Sequence, residues 1–293
     1  SYVAGRWHEA SSGFADLCDP VSEEVIARAS SDGIDFDSVL DHARAHGAPA
    51  LRGMTFAERG GLLKAMSKAL LDQRDELIEL SIRNTGTTVA VSLFVLDGAT
   101  GTLGYYAYLA KGLGDRRTLA DGEGGALGRT DEFWGRHVRV PLRGVAVHIN
   151  AFNFPAWGFA EKAACALLAG MPVITKPATS SALVTERCIR ILVDSGALPE
   201  GSLQLVCGST GDLLSRLGSQ DVLAFTGSAD TALKLRRAEN LLASNARVNL
   251  EADSLNAAVL GPDVKADSDT WNLFVRDVCR EMTQKSGQKC TAV

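Results

Sequence analysis

Gly144-Val145-Ala146-Val147-His148-Ile149-Asn150-Ala151-Phe152-Asn153-Phe154-Pro155 decides how this chain folds. Gly144 to Ile149 is a short, β-branched apolar run of the kind that fills a buried strand, and the polar and Pro residues after it end that strand. The same alternation continues downstream. Trp157 to Ala169 can form a helix, Pro172 to Thr175 a buried strand, and Ala182 to Ser195 a second helix. Leu203 to Val206 reads as a strand ending in Gly208-Ser209-Thr210-Gly211. Val222 to Phe225 reads as another, ending in Thr226-Gly227-Ser228 before a helix that begins near Ala229; Val248 to Leu250 and Ala257 to Leu260 complete the series. Strand and helix in alternation predict an α/β fold with a parallel sheet covered on both faces. Ligands on such sheets bind at the carboxyl ends of the strands.

Upstream, to about residue 120, the text is mostly helical. Thr55-Phe56-Ala57-Glu58 has capping-box spacing, and Leu62, Leu63, Met66, Leu70 and Leu71 behind it recur at helical intervals, a core stripe. A helical run from Asp75 to Arg83 stops at Asn84-Thr85-Gly86. Residues 121–142 break the pattern: Gly122, Gly124, Gly125 and Gly128, then Phe133, Trp134, His137, Val138 and Val140 up to Pro141. They predict a loop and an exposed hairpin or edge strand, with His137 an ordinary strand residue.

Composition narrows the function. The 293 residues are 46% hydrophobic and 22% charged, enough for a globular core. With 35 acidic and 30 basic residues and no basic run, nothing favours nucleic acid as a partner. The stretch Ser1 to Trp7 lacks the charged-then-apolar order of a signal peptide, and Cys165 to Thr175 is far too short to span a bilayer, so no membrane partner is expected. None of the six cysteines forms a C-x-x-C pair, which gives no support to a zinc or thioredoxin-like reading, and no metal site is expected. Cys165, Cys188, Cys207 and Cys279 read as small buried hydrophobes, and the cysteine usage points to a reducing, cytoplasmic setting.

No G-x-G-x-x-G occurs, so the standard dinucleotide fingerprint fails. Gly208 to Gly211 lacks the Lys-Ser/Thr ending of a phosphate-binding P-loop. Four other segments carry the reading: Asn150 to Pro155; Thr175-Lys176-Pro177-Ala178; Phe225-Thr226-Gly227-Ser228; and Ser286-Gly287-Gln288-Lys289-Cys290, with Leu250-Glu251 between the last two. In this order they resemble the motif set of the aldehyde dehydrogenase superfamily, over essentially the whole chain. His148 to Pro155, Glu251-Ala252-Asp253-Ser254-Leu255-Asn256 and Arg280-Glu281-Met282-Thr283 resemble more narrowly the branch that oxidises CoA-linked semialdehydes in aerobic aromatic degradation. That branch has benzoate-pathway and phenylacetate-pathway members, and Phe225 to Ala232 tilts toward the benzoate type.

The chemistry that resemblance implies makes physical sense. An aldehyde becomes a hydride donor once a thiolate adds to its carbonyl. Cys290 resembles that nucleophile, with Lys289 beside it as a charge that could favour the thiolate. The resulting oxyanion needs prearranged donors, and the Asn153 amide with the Cys290 N–H would supply them. Water must then cleave the thioester, and Glu251, expected at a partly buried strand end, resembles the general base. Asp253-Ser254 stands where the family usually has Gly-Gly. For the cofactor, Lys176 resembles the ribose-binding lysine. Thr179 stands where NAD-preferring relatives often place a glutamate, which implies NADP preference with NAD as the alternative, since a hydroxyl beside a lysine accepts a 2′-phosphate that a carboxylate repels. Gly227 and Ser228 resemble a pyrophosphate contact at a helix N-terminus. Gly211 is expected to permit close approach near the adenine, and Phe152 and Asn150 to lie beside the cofactor.

The expected organisation is a cofactor domain from residues 1–123 and 142–253, an oligomerisation hairpin at 124–141, and the beginning of a catalytic domain at 254–293. The family extends well past its catalytic cysteine. The chain is therefore expected to be the front part of a longer arrangement, inactive alone, with a homodimer or larger homo-oligomer as the assembly. The rivals are a CoA-acylating dehydrogenase and a non-catalytic protein on the same scaffold.

Overall fold

A computed structural model describes residues 1–292. The N-terminal part opens with β1 (Tyr2–Val3), β2 (Arg6–Trp7), β3 (Ala15–Cys18) and β4 (Val25–Ala29). The helices α1 (Phe36–His42), α2 (Ala48–Gly53), α3 (Phe56–Asp72), α4 (Arg74–Thr85) and α5 (Val89–Leu113) follow, with a π-helical turn, Ala43–Gly47, between α1 and α2. The strands β5 (Leu119–Ala126) and β6 (Trp134–Arg139) pair antiparallel. Strand and helix then alternate through β7 (Ala146–Ile149), α6 (Trp157–Leu168), β8 (Val173–Lys176), α7 (Ala182–Asp194), β9 (Leu203–Leu205), β10 (Val222–Gly227), α8 (Ala229–Arg236), α9 (Glu239–Ala243), β11 (Arg247–Ala252) and α10 (Asp269–Thr283).

The sheet runs β11-β10-β7-β8-β9-β1-β2. The five strands β11 to β9 are parallel; β1 pairs antiparallel to β9, and β2 closes the far edge antiparallel to β1. Side chains alternate across a strand, and the two faces follow that period. Ala146, Val173, Leu203 and Leu205 point to a core shared with α3, α5, α6 and α7, through Leu63, Met66, Leu103 and Phe159. Val145, Val147, Ile174, Leu223 and Phe225 point to the other core, under α1, α8 and α9, with Leu40, Leu235 and Leu241. Burial of these continuous β-branched runs on both faces is what fixes the parallel sheet.

The capping box forms. Thr55 Oγ1 accepts the Glu58 N–H at 3.2 Å and Glu58 Oε2 accepts the Thr55 N–H at 2.7 Å. Among the described residues no single helix is long and apolar enough to cross a membrane.

Three expectations need correction. The first 29 residues hold four strands, not helix; two-residue strands are too short to show a period, and β3 and β4 turn at Asp19, whose carboxylate accepts the Val21 N–H at 2.8 Å. Residues 257–260 are not a strand, because no neighbouring strand among the described residues offers them a ladder. Cys188 and Cys207 are buried, but Cys165 and Cys279 are exposed: their helices turn those positions away from the core.

Candidate active site

The carboxyl ends of β7, β8, β9 and β10 open on a cleft of about 680 Å³, within the ordinary range of small-molecule sites. Lys176 and Thr179 line it, with Ile149, Gly208, Ser209, Thr210, Phe225 and Thr231. Burial pushes the Lys176 ammonium below its usual range, and it makes no ion pair among the described residues. A largely desolvated cation at the floor of a cleft favours a polar or anionic ligand. The donor set suits the ribose and phosphate portion of a nicotinamide dinucleotide.

The remaining cofactor candidates sit around this cleft, not in its lining. Gly211 follows the lining residue Thr210 and has φ +48°; a Cβ there would stand 2.7 Å from the Phe36 ring, so the glycine lets α1 pack against the cleft wall. Ser228 caps α8 through the Thr231 N–H. Gly227 ends β10 beside Ala252, and its carbonyl accepts the Asp253 N–H at 3.2 Å. Phe152 is exposed. Asn150 is buried, donates to Thr175 Oγ1 at 3.0 Å and so links β7 to β8. Asp253 adds an unforeseen feature: its carboxylate accepts the Ala229 N–H at 3.1 Å, at the α8 N-terminus where an anion would bind.

Asn153 and the Cys290 segment meet directly. The Asn153 side-chain amide donates to the Gln288 carbonyl at 3.1 Å. Asn256 Nδ2 donates to the Cys290 carbonyl at 2.6 Å, which anchors the same segment from another side. The approach to Cys290 is strained, with Lys285, Ser286 and Gly287 all at positive φ. Such conformations cost about 1–3 kcal/mol each for non-glycine residues and cluster at functional sites. Cys290 itself is exposed.

Glu251 accepts from Thr226 Oγ1 at 3.3 Å across the β10–β11 pair. The registers place Thr226 level with Glu251, and Phe225 level with Ile149. Glu251 is thus level with Asn150 and two strand spacings away, roughly 10 Å. Glu251 is exposed, not partly buried, because β11 is the edge of the sheet and pairs on one side only. No hydrogen bond joins it to Asn153 or Cys290 among the described residues.

The two lysines here have other duties than activating the thiol. Lys289 Nζ lies 2.6 Å from Glu281 Oε2 and 2.6 Å from Gln284 Oε1, so its charge is already matched and braces α10. Lys285 is buried, with its ammonium 4.4 Å from the Phe154 ring centre, and burial pushes it down to about 8.

Sequence reasoning missed the far wall of the cleft. Gly13, Ala15, Ala29, Ser30, Ser31 and Asp32, from β3, β4 and the loop after them, line it. The available signal was Asp19-Pro20, a turn-forming pair between two short runs.

The Aldehyde dehydrogenase family model matches residues 7–293. A curated relative from Aromatoleum evansii, 3,4-dehydroadipyl-CoA semialdehyde dehydrogenase, is 47% identical over 293 residues; the match takes in 100% of this chain and 57% of that protein. The chain thus spans just over half the length of that relative. Among solved structures, PnpE in complex with nicotinamide adenine dinucleotide aligns with a TM-score of 0.81 at 25% identity, over 99% of this chain and 57% of that one. Betaine aldehyde dehydrogenase from Staphylococcus aureus in complex with NAD+ aligns with a TM-score of 0.83 at 24% identity, over 99% and 56%.

Proposed function

The chain belongs to the aldehyde dehydrogenase family, and on that premise we propose that the full-length protein oxidises a CoA-linked aliphatic semialdehyde to its carboxylic acid with NADP+. The observation that carries this reading is the hydrogen bond from Asn153 to the Gln288 carbonyl, which ties the strand-end amide to the segment that presents Cys290.

In this reading the Cys290 thiolate adds to the aldehyde carbon. The alkoxide of the thiohemiacetal is held by an Asn153 N–H and the Cys290 backbone N–H. An Asn amide has two N–H donors, so one can stay on Gln288 while the other faces substrate. A bound nicotinamide would supply the hydride acceptor that forming the thioester on Cys290 requires. Glu251 then removes a proton from the water that cleaves the thioester and frees Cys290. The space of about two strand spacings between Glu251 and the end of β7 accommodates substrate and that water. Aldehyde, NADP+ and water give carboxylate, NADPH and two protons.

Lys176 and Thr179 would hold the adenosine ribose, and the absence of a carboxylate at Thr179 favours the 2′-phosphate of NADP+ over NAD+. Gly227 and Ser228 would border the pyrophosphate, Gly211 the adenine side, with Phe152 and Asn150 near the nicotinamide end. Residues 1–123 and 142–253 form the cofactor domain in this scheme, and 254–293 begin the catalytic one. The exposed Leu127, Phe133, Trp134, Val138 and Val140 of the 124–141 hairpin support its use in a homo-oligomer. Six free thiols support a reducing, cytoplasmic setting. The name of the 47% identical relative supports a CoA-linked semialdehyde, and Phe225 to Ala232 favours the benzoate-type branch.

Product analysis tests the proposal. The full-length protein with 3,4-dehydroadipyl-CoA semialdehyde and NADP+ should give the free acid and one NADPH per aldehyde, and Cys290→Ala should give neither. Formation of a new acyl-CoA only when free CoA is added would replace hydrolysis by acyl transfer.

A further inference from the structure

At the opposite edge of the sheet, three potential metal ligands meet. His42 ends α1, His46 lies one turn on in the π-helical stretch, and Glu200 comes from the loop between α7 and β9. One donor atom from each lies within 4.8 Å of the others. His42 Nε2 stands 3.7 Å from Glu200 Oε1, too far for a hydrogen bond but near the edge of a tetrahedron of zinc ligands, about 3.4 Å for bonds of about 2.0–2.1 Å. The imidazole rings lie 4.7 Å apart between centres, with their planes tilted at 41°.

Two further observations separate this cluster from a chance meeting of side chains. His42 Nε2 is buried and has no hydrogen-bond partner among the described residues, although buried polar atoms are nearly always satisfied. The scaffold around it is also tightly fitted. A Cβ on Gly47 would fall 2.2 Å from the Gly201 carbonyl oxygen, so the Glu200 loop rests on bare backbone of the π-turn. A Cβ on Gly5, in the β1–β2 turn, would stand 3.4 Å from His42 Cε1 and 3.6 Å from Glu200 Oε1, which makes that turn the third wall. π-turns of this kind are often functional.

We propose that His42, His46 and Glu200 form a binding site for a divalent transition-metal ion that clasps the end of α1 to the loop before β9. Two imidazoles and one carboxylate with an open fourth position suit Zn2+ above Mg2+ or Ca2+, which favour all-oxygen shells. The absence of C-x-x-C pairs had argued against zinc, but these ligands lie 154 residues apart in part of their span and use no cysteine. Both clasped elements continue to the cofactor cleft: α1 through Phe36, which packs against Gly211, and β9 through Gly208. The ion would therefore brace the cleft wall from behind.

Zn2+ binding to the chelator-treated full-length protein tests this, read by metal content and thermal unfolding and not by activity. His46 and Glu200 are exposed, so His46→Ala and Glu200→Gln should fold. The wild type should hold one Zn2+ more than either variant and unfold at a higher temperature when Zn2+ is added. Loss of outer-shell partners alone weakens metal sites roughly 10–100-fold, so loss of a ligand should weaken this one by at least as much. Co2+ should give a visible band that His46→Ala removes, without the near-ultraviolet absorption of thiolate ligation. Equal Zn2+ content and affinity in wild type and both variants, or no Zn2+ bound by the wild type, would overturn the proposal.

Discussion

The side-chain amide of Asn153 donates to the backbone carbonyl of Gln288 at 3.1 Å, across 135 residues of chain. That contact brings the strand-end turn after β7 against the segment that carries Cys290. If Asn153 also holds the oxyanion, its loss should act on the chemical step. Removing one such donor costs about 2.7–4 kcal/mol, or roughly 10²–10³ in kcat. Asn153→Ala in the full-length protein should lose that much in kcat with KM for the aldehyde changed far less. A loss confined to KM would assign Asn153 to holding the Cys290 segment alone.

Thr179 lines the cleft with Lys176 and brings no charge of its own. Thr179→Glu would set a carboxylate where the 2′-phosphate is proposed to lie. The KM for NADP+ should rise on the order of tenfold or more, the effect of about 1.4 kcal/mol of repulsion, while that for NAD+ holds or falls. Steady-state kinetics with both cofactors checks this. An unchanged NADP+/NAD+ ratio would move the 2′ position elsewhere in the cleft.

The legible and illegible parts of the sequence differ in a physical way. The strands β7, β8 and β10 are continuous apolar runs because both faces are buried, and such runs announce themselves. The edge strand β11 has one free side and exposed residues, so its apolar letters gave a false impression of burial around Glu251. The hairpin β3–β4 and the loop after it line the cleft through Ala15, Ala29, Ser30, Ser31 and Asp32, yet its strands are too short for periodicity to mark. The Lys289 charge beside Cys290 was visible in sequence, but its match with Glu281 depends on α10 folding back within hydrogen-bond reach. Motif order placed Asn153 and Cys290 in one site; only the three-dimensional path of the chain reveals that their segments touch.

Asp253 occupies a left-handed conformation, φ +50°, and presents its carboxylate to the Ala229 N–H at the start of α8. A non-glycine residue there carries strain, and its negative charge would compete with the pyrophosphate proposed for the same helix N-terminus. Asp253→Gly would relieve both. The variant should bind NADP+ more tightly, by a few-fold at low ionic strength and less at high salt, since the charge is exposed. Fluorescence titration of the cofactor measures it. Weaker binding in the variant would mean that Asp253 orders α8 for the cofactor.

Lys285 offers a test by pH. Its ammonium is buried over the Phe154 ring, and burial lowers it from 10.5 in the unfolded chain to about 8 in the fold. A lysine depressed on folding destabilises the folded state wherever the unfolded chain holds the extra proton. The penalty is absent above about 10.5, grows as pH falls from there to 8, and is complete below 8. Met has a similar length and no charge. Lys285→Met should therefore raise the unfolding temperature at pH 7, with a gain that shrinks steadily between pH 8 and 10.5. The cation–π contact offsets part of the penalty, by about 0.5–2 kcal/mol. If it wins outright, the variant will be the less stable protein at pH 7 and the burial argument for Lys285 fails. Unfolding curves of both proteins at four or five pH values separate the two outcomes by the sign of the difference at pH 7, and in either case the difference fades as the ammonium loses its proton, since burial penalty and cation–π contact both require the charge.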